Sequence, residues 1–375
     1  MRCVSAQEIS MKVDLTEFLS SQKLHLPLEQ SRKGQFRTYV DTLLNDYLNS
    51  AQLVKLPNKG KSKTLNRLEK LVDGIKKSVS SYYHGKPFDA YLAIQEGITK
   101  SGLIDYWENL QLRGNSNHYR IRLVSNNYPL GREQLFHIPF DERGKVTSQR
   151  FSIPGFPSLY LSNSIYTAWE ELRRPKQDDI QAMRFVNENP MPVMDLTTSR
   201  YAQNVQKTRE SEDQVYDFLM WPLIAICSIK VYDVEDYFKP EYIVPQLLLQ
   251  WIRNHESVVG IKFSSTHIDL NNGKSEGEFY NVVIPVVENK ESGYCSTLSS
   301  IFKSTDVLSW QLLQFSSGAA SFSYNLDEDE AINPAIKRVE MIRDRPFPYY
   351  FSPLADMERI LKTMSPRSIN FKKRV

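Results

Sequence analysis

Apolar residues recur at helical spacing throughout the first third of the chain. Over residues 31–53 an apolar position follows every three or four residues, and the positions between are mostly polar or charged. A break at 55–63 interrupts this pattern, which resumes over 65–79, and Pro87 is well placed to open a third helix. No strand-like alternation of any length occurs here. The pattern predicts a helical N-terminal module over residues 1–112.

After residue 112 the pattern changes to short apolar runs typical of strands, with helix-like segments between them. The predicted strands are Tyr119–Val124, Leu135–Pro139, Leu159–Leu161, Leu223–Tyr232, Gly260–Ser264 and Tyr280–Val287. The predicted helices are Ser164–Arg174, Ser211–Met220 and Ile243–His255. Because the two kinds of element are mixed without a regular βαβ rhythm, the pattern favours an α+β fold over a doubly wound sheet. We therefore expect two domains, 1–112 and 113–375.

Composition and charge fit a globular protein. The 375 residues are 41% hydrophobic and 24% charged, which is enough for a core of ordinary size in each domain. The 47 basic and 44 acidic residues leave a formal charge of +3, so charge gives no reason to expect a nucleic acid or an anionic membrane as partner. The sequence shows neither a secretory leader nor an apolar run of membrane-spanning length. We expect a cytoplasmic protein.

Common catalytic and metal-binding motifs are absent from the sequence. It has no dinucleotide-binding GxGxxG, no P-loop and no GxSxG elbow. The cysteines, Cys3, Cys227 and Cys295, lie far apart, which favours neither a disulfide framework nor a zinc site, and no metal is expected. Arg113 and His118 have the R-x4-H spacing of HEPN ribonucleases, but the loop sequence between them argues against that activity.

The densest group of chemically useful residues lies in residues 149–172. Arg150 precedes a Pro-Gly turn, Tyr160 lies in a short strand after that turn, and Glu170 and Glu171 lie in the following helix. On a helical wheel Glu171 flanks the apolar stripe whereas Glu170 points further away, so Glu171 is the better candidate for a cleft. Taken singly, each residue also has a purely structural interpretation, as a surface cation, a core aromatic or an exposed helix face.

Five segments stand out together because of their order along the chain. They are YRIR at 119–122, QRFSIPGFPSLYLSNSIYTAWEEL at 149–172, YIVPQLLLQWI at 242–252, GIKFSS at 260–265 and YNVVIP at 280–285. In that order they resemble the RES domain, a family named for its arginine, glutamate and serine. The resemblance covers about 119–287 and leaves both ends of the chain unexplained. The functional residues of the family fall on Arg150, Tyr160, Glu171, Ser265 and Asn281, with Glu170 and Ser264 as alternatives because identical residues are adjacent.

The resemblance implies a fold and an activity. RES domains are similar to ADP-ribosyltransferases, which implies a split antiparallel sheet around an NAD cleft, and characterised members are bacterial toxins that consume NAD. For this chain it implies cleavage of the nicotinamide–ribose bond of NAD by hydrolysis or phosphorolysis, which would deplete NAD as a growth-arresting toxin or anti-phage effector. Glu171 would stabilise the cationic ribose that forms. Ser265 and Asn281 would hydrogen-bond the nicotinamide amide or the ribose hydroxyls.

The resemblance also gives the arginines and the tyrosine roles in binding NAD as substrate. Arg150, together with Arg120 or Arg122 from the first strand of the match, would grip the pyrophosphate or ribose oxygens through paired hydrogen bonds. Tyr160 would stack on the nicotinamide ring. This chemistry requires no metal.

The sequence leaves several alternatives open. One is a mono-ADP-ribosyltransferase that modifies a protein, and another is a non-catalytic ligand-binding or sensor protein that keeps the RES-like fold. The helical module fits a sensor, an oligomerisation element that would make a homo-oligomer, or a built-in inhibitor. Family toxins are usually restrained by a helix-turn-helix antitoxin that blocks the cleft, which makes such an antitoxin a candidate partner.

Overall fold

A computed structural model of the protein describes residues 13–21, 27–30, 33–56, 60–107, 110–124, 128–201, 211–317 and 332–371. It confirms the α+β class, because a helical N-terminal region precedes a large mixed sheet with further helices packed on it. Within these ranges no helix is both long and apolar enough to cross a membrane.

The helices predicted in the first third of the chain are present. The helices of this region are α1 (Leu15–Leu19), α2 (Phe36–Ala51), α3 (Lys61–Tyr83), α4 (Pro87–Ser101) and α5 (Ile104–Trp107). Pro87 stands in the first turn of α4, where its missing N–H costs no hydrogen bond. Helices α3 and α4 touch through their backbones, since a Cβ added to Gly74 would lie 2.8 Å from the Cα of Gly97. Two glycines facing each other therefore permit this close contact of α3 with α4.

In the part of the chain that the structure describes, the strands form three sheets. Their bounds are β1 Val13–Asp14, β2 Val54–Lys55, β3 Gln111–Leu112, β4 Ser116–Leu123, β5 Ser158–Ser162, β6 Ile180–Asn187, β7 Met191–Leu196, β8 Gly260–Ser264, β9 Glu276–Gly277, β10 Tyr280–Pro285, β11 Phe302–Ser304, β12 Leu308–Ser309, β13 Ile336–Ile342, β14 Arg345–Pro348 and β15 Arg367–Ser368. The large sheet has the order β15-β11-β6-β4-β5-β10-β8-β7-β3, and β12 also pairs with β6. A parallel pair, β1 with β2, and a three-stranded sheet, β14-β13-β9, complete the set.

The large sheet is almost divided in the middle. Strand β4 pairs with β6 along its whole length, but it pairs with β5 through Tyr119 and Ser162 alone. The expected antiparallel pairing holds along the path from β15 to β8, whereas β7 and β8 run parallel to each other. The two halves of the sheet are therefore joined at their middle by a single residue pair.

The remaining helices lie among and after these strands. They are α6 (Ile165–Glu171), α7 (Ser211–Cys227), α8 (Ile243–Arg253), α9 (Ser296–Ile301), α10 (Trp310–Ser317) and α11 (Pro353–Thr363). The strand predicted over Leu223–Tyr232 is wrong, because α7 continues to Cys227. Its second half is buried on all sides and so lacks the polar stripe by which a helix is recognised. The strand predicted over Leu135–Pro139 is also wrong: a short 3-10 turn ends at Leu135, and no ladder follows it.

The N-terminal helices share one hydrophobic core with α7 and α8. Tyr47 of α2 stacks on Trp221 of α7 with ring centroids 4.1 Å apart. Trp107 of α5 meets Trp251 of α8 edge to face at 5.5 Å. The core thus continues across residue 112, and the division into two domains there stays a prediction.

Candidate active site

A cleft of about 530 Å³ opens at the junction of β4 with β5, within the range of about 300–1,000 Å³ typical of small-molecule sites. Its wall combines β4, β5, α6 and β10 with the loops that carry residues 148–151, 230–234 and 266–267. Five of the residues predicted from the sequence line it: Arg120, Arg150, Tyr160, Glu171 and Asn281. The long passage at 149–172 and the strand β10 therefore converge on one site.

The carboxylate of Glu171 has polar neighbours on two sides. Asn281 donates a hydrogen bond of 2.9 Å from Nδ2 to Oε1 of Glu171, and Nε2 of His267 lies 3.7 Å from Oε2. Asn281 is fixed in turn, because it faces Ser162 across the β5–β10 ladder and accepts a hydrogen bond of 2.6 Å from the Ser162 hydroxyl. The Glu171 side chain remains 30% exposed. It is therefore oriented by the protein and still open to a ligand.

The neighbouring glutamate has a different environment. The Glu170 side chain is 6% exposed and pairs with Arg174 through Nη2 at 2.7 Å and Nε at 3.0 Å. Arg173 and Arg174 both adopt left-handed backbone angles, with φ of 62° and 54°, which end α6 abruptly. Arg174 therefore turns back onto Glu170, whereas Arg173 lines the cleft. Of the two glutamates, Glu171 faces the cleft.

Arg150 is oriented by three neighbours. It donates hydrogen bonds from Nη1 to the carbonyl of Cys227 at 3.0 Å and from Nη2 to the hydroxyl of Thr266 at 3.2 Å. Its Cζ lies 5.4 Å from the centre of the Tyr242 ring, a cation–π arrangement. These contacts use only part of the donor capacity of a guanidinium, which has five N–H groups. Arg150 can therefore bind an anionic oxygen while it stays in place.

Arg120 is a half-buried cation beside Tyr160. Burial, and then the nearby Arg122, lower the pKa of Arg120 to about 10, so it remains charged at neutral pH. Its Nη1 is buried and has no hydrogen-bond partner among the residues that the structure describes. The hydroxyl of Tyr160 donates to the carbonyl of Phe151, and burial raises the pKa of this phenol well above its usual range. Arg120 thus offers unused donors, and Tyr160 stays neutral.

Two predicted binding residues lie away from the cleft wall. Arg122 is exposed near the end of β4, where its guanidinium donates to the carbonyl of Gln134. The Ser265 hydroxyl is buried and accepts a hydrogen bond of 3.2 Å from the backbone N–H of His267. The Ser264 hydroxyl accepts one of 2.8 Å from the N–H of Thr198, so it is no better placed. The Ser265 hydroxyl therefore shapes the turn that presents residues 266 and 267 to the cleft.

Sequence reasoning missed several residues of the wall. His267, Thr266, Tyr242, Arg173 and Lys230 all line the cleft. They come from loops or helix ends, where no periodic pattern indicates which side chain faces inward. For two of them the sequence held a signal, because Thr266 and His267 directly follow the GIKFSS segment.

The charges around the cleft are strongly unbalanced. Among the described residues that line it, Arg120, Arg150, Arg173 and Lys230 are basic, and the acidic one is Glu171. Lys230 is partly neutralised by an ion pair with Glu29 at 2.6 Å. A cleft of this kind favours an anionic ligand and places a single carboxylate against it.

Other histidines have structural partners. Burial lowers the pKa of His118 and of His137 to about 4, which keeps both rings neutral at physiological pH. His118 is hydrogen-bonded to Asn187 at 3.1 Å, and His137 accepts from the N–H of Cys295 at 2.8 Å. In the part of the chain that the structure describes, no group of three or more His, Cys, Asp or Glu side chains is placed to hold a metal ion.

Comparison with known proteins identifies the family of this chain. The model of the RES domain matches residues 119–286, which include the cleft residues described above from β4, β5, α6 and β10. A protein of Bacillus subtilis (strain 168) named "Putative toxin YopC" is 32% identical over 311 residues, which cover 78% of this chain and 70% of the relative. The chain belongs to the RES domain family. No solved structure matches it significantly. The similarity to the Bacillus protein is longer than the RES match and so extends beyond the RES domain itself.

Proposed function

We propose that this RES protein is a toxin that cleaves the bond between nicotinamide and ribose in NAD. The observation that carries the proposal is Glu171, a carboxylate held by Asn281 in a cleft whose other charged residues are mostly cations. NAD presents the matching features, an anionic pyrophosphate and a ribose that becomes positively charged when its bond to nicotinamide breaks. The name of the Bacillus relative supports the toxin role.

The proposed reaction begins with heterolytic cleavage of the C–N glycosidic bond. The bonding electron pair passes to the nicotinamide nitrogen, which becomes neutral, and the ribose becomes an oxocarbenium-like cation. A fixed carboxylate stabilises such a cation, as in glycoside hydrolysis. Water or phosphate then adds to the anomeric carbon, and with water a proton is lost to give ADP-ribose. Glu171 is the group that we assign to charge stabilisation.

The remaining cleft residues fit the binding of the dinucleotide. The free donors of Arg120 and Arg150 suit the pyrophosphate oxygens, which guanidinium groups bind in pairs. The rings of Tyr160 and Tyr242 line the same cleft and suit the nicotinamide. Asn281 would act mainly by orienting Glu171. Ser265 would act through the turn to His267.

The biological consequence follows from the substrate. Loss of NAD would arrest growth of the cell, and the cytoplasm, where NAD is abundant, would be the place of action. Such a toxin needs restraint, so we keep the helix-turn-helix antitoxin as the candidate partner.

Product analysis tests this proposal. Purified full-length protein is incubated with NAD, and nicotinamide, ADP-ribose and ADP-ribose 1-phosphate are separated and counted, with and without phosphate. We expect nicotinamide to appear in equal amount to the ribosyl product. If the NAD is labelled in its ADP-ribose part, accumulation of that label on protein would instead indicate mono-ADP-ribosylation. Stable NAD under all conditions would contradict the proposal.

A further inference from the structure

Glu358 of α11 reaches the start of the helix that carries Glu171. It lies outside residues 119–286, and its side chain is completely buried. Its Oε1 accepts a hydrogen bond of 2.6 Å from the backbone N–H of Ile165, the first residue of α6, and another from the Tyr349 hydroxyl. Since α6 ends at Glu171, one short helix connects the two glutamates.

A buried carboxylate is costly unless its environment compensates for the lost water. Burial raises the pKa of Glu358 to about 7, although the hydrogen bonds from Tyr349 and Ile165 and the charge of Lys362 act in the opposite direction. The side chain of Asn333 also acts to lower this pKa, although Oε2 makes no hydrogen bond of ordinary geometry to the described residues. An apolar side chain would fill this place at lower cost, so the contacts of Oε1 are the reason we assign it a role.

One further hydrogen bond and one electrostatic effect tie the C-terminal segment to the same region. Asn333 donates a hydrogen bond of 3.0 Å to the carbonyl of Asn163, just before α6. Tyr119, which joins β4 to β5 and lines the cleft, has its pKa raised by burial and then by the charge of Glu358. Glu358 is therefore bonded to the start of α6 and close enough to Tyr119 to act on it electrostatically.

We infer that Glu358 is a positioning residue, which sets the place of the Glu171 carboxylate by anchoring Ile165 and never touches the substrate. This inference rests on the proposed function. Helix α6 has only seven residues, so displacement of its first residue passes directly to its last. A misplacement of about 1 Å costs on the order of 100-fold in rate when a reacting group must be aligned.

Two substitutions at position 358 distinguish the effect of side-chain length from the effect of ionisation. Glu358→Asp keeps an ionisable carboxyl group but withdraws it by one methylene, and Glu358→Gln keeps the length and the acceptor oxygen but cannot ionise. For Glu358→Asp we expect kcat for NAD to fall about 10- to 100-fold with KM within about twofold of wild type. Glu358→Gln should have a kcat within about threefold of wild type, because it preserves the hydrogen bond to Ile165.

A third variant controls for lost stability alone. Leu361→Ala opens a cavity in the same buried face of α11 without removing a hydrogen bond to α6. It should lower the melting temperature and leave kcat unchanged under conditions where the protein is folded. Wild-type kcat in Glu358→Asp, or an equal loss of kcat in Glu358→Asp and Leu361→Ala, would overturn the inference.

Amide hydrogen exchange tests the anchor independently of catalysis. If positioning is correct, Glu358→Asp speeds exchange over residues 165–171 in the full-length protein, and Glu358→Gln does not. If the wild-type protein does not consume NAD, the proposed function is wrong. The exchange experiment still shows, independently, whether Glu358 anchors α6. Unchanged exchange in Glu358→Asp would overturn the positioning role.

Discussion

Asn281 donates a hydrogen bond of 2.9 Å to the carboxylate of Glu171, across 110 residues of sequence. The donor lies in β10 and the acceptor at the end of α6, so the bond connects the sheet to the helix at the cleft. The Ser162 hydroxyl, which donates to Oδ1 of Asn281, leaves Nδ2 of the amide to face Glu171. The pairing of β5 with β10 therefore fixes the orientation of the Asn281 amide, and this amide in turn orients the carboxylate of Glu171.

Asn281→Ala should lower kcat for NAD by about 10- to 100-fold with a much smaller change in KM, because the carboxylate loses its orientation and keeps its charge. Steady-state kinetics measure both constants. Asn254→Ala is the matched control, since Asn254 is exposed and does not line the cleft. Full kcat in Asn281→Ala would show that this hydrogen bond has no part in catalysis.

Arg120→Ala should weaken NAD binding by about 10-fold or more, because a half-buried cation with unused donors is lost from the cleft. Arg122→Ala should change binding by less than about twofold, since its exposed guanidinium is engaged with the Gln134 carbonyl. Titration calorimetry with ADP-ribose, which is not cleaved at this bond, measures both. Equal losses in the two variants would argue that the arginines act only through general charge.

Tyr47→Ala should lower the free energy of unfolding by about 3–5 kcal/mol, since it removes a buried ring that stacks on Trp221. Tyr47→Phe should cost only about 1 kcal/mol, the value of the hydrogen bond from its hydroxyl to the Phe218 carbonyl. Urea unfolding followed by tryptophan fluorescence and by circular dichroism should give one coincident transition. Two separate transitions would mean that the N-terminal helices unfold as an independent domain.

Glu358 should make stability depend on pH. Its pKa is raised from 4.5 to about 7 in the folded protein, so the native state binds more protons than the unfolded state between these values. The contribution of this group is then complete below pH 4.5 and is lost as pH rises through 7. Between pH 5 and pH 8 the ionisation of Glu358 should therefore lower the free energy of unfolding of the wild type by about 3 kcal/mol. Glu358→Gln should lack that loss, and an identical pH profile in both proteins would refute the assignment.

Elements with a clear period were predictable from sequence. The helices α2 to α4 follow from amphipathic spacing, and β8 has the predicted bounds, Gly260–Ser264. The second half of α7 was missed for a physical reason: burial on every side removes the contrast between polar and apolar faces on which the prediction depends. The parallel pairing of β7 with β8 depends on contacts between distant segments, which no local pattern reveals.

The site was predictable where several residues lie on one stretch of chain. Arg150, Tyr160 and Glu171 fall within 22 residues and all line the cleft. The helical wheel was wrong about Glu170, which it placed further from the buried face than Glu171, because the turn after α6 brings Arg174 back to pair with Glu170 and the Glu170 side chain is buried. His267 and Glu358 were not found, because each reaches α6 only through the folding of remote segments. Sequence spacing locates the cleft, whereas tertiary packing decides which further side chains complete it.

The most direct test of the account is the NAD concentration over time with purified wild type, Glu171→Gln and Glu170→Gln. Glu171→Gln keeps the size of the side chain and its acceptor oxygen but removes the charge, so turnover should fall by at least about 100-fold. Glu170→Gln should be less stable, because it removes the carboxylate charge that pairs with Arg174. It should still consume NAD at a temperature where it is folded. Loss of NAD in wild type and Glu170→Gln but not in Glu171→Gln is the predicted result. Equal consumption by Glu171→Gln and wild type would contradict the central claim.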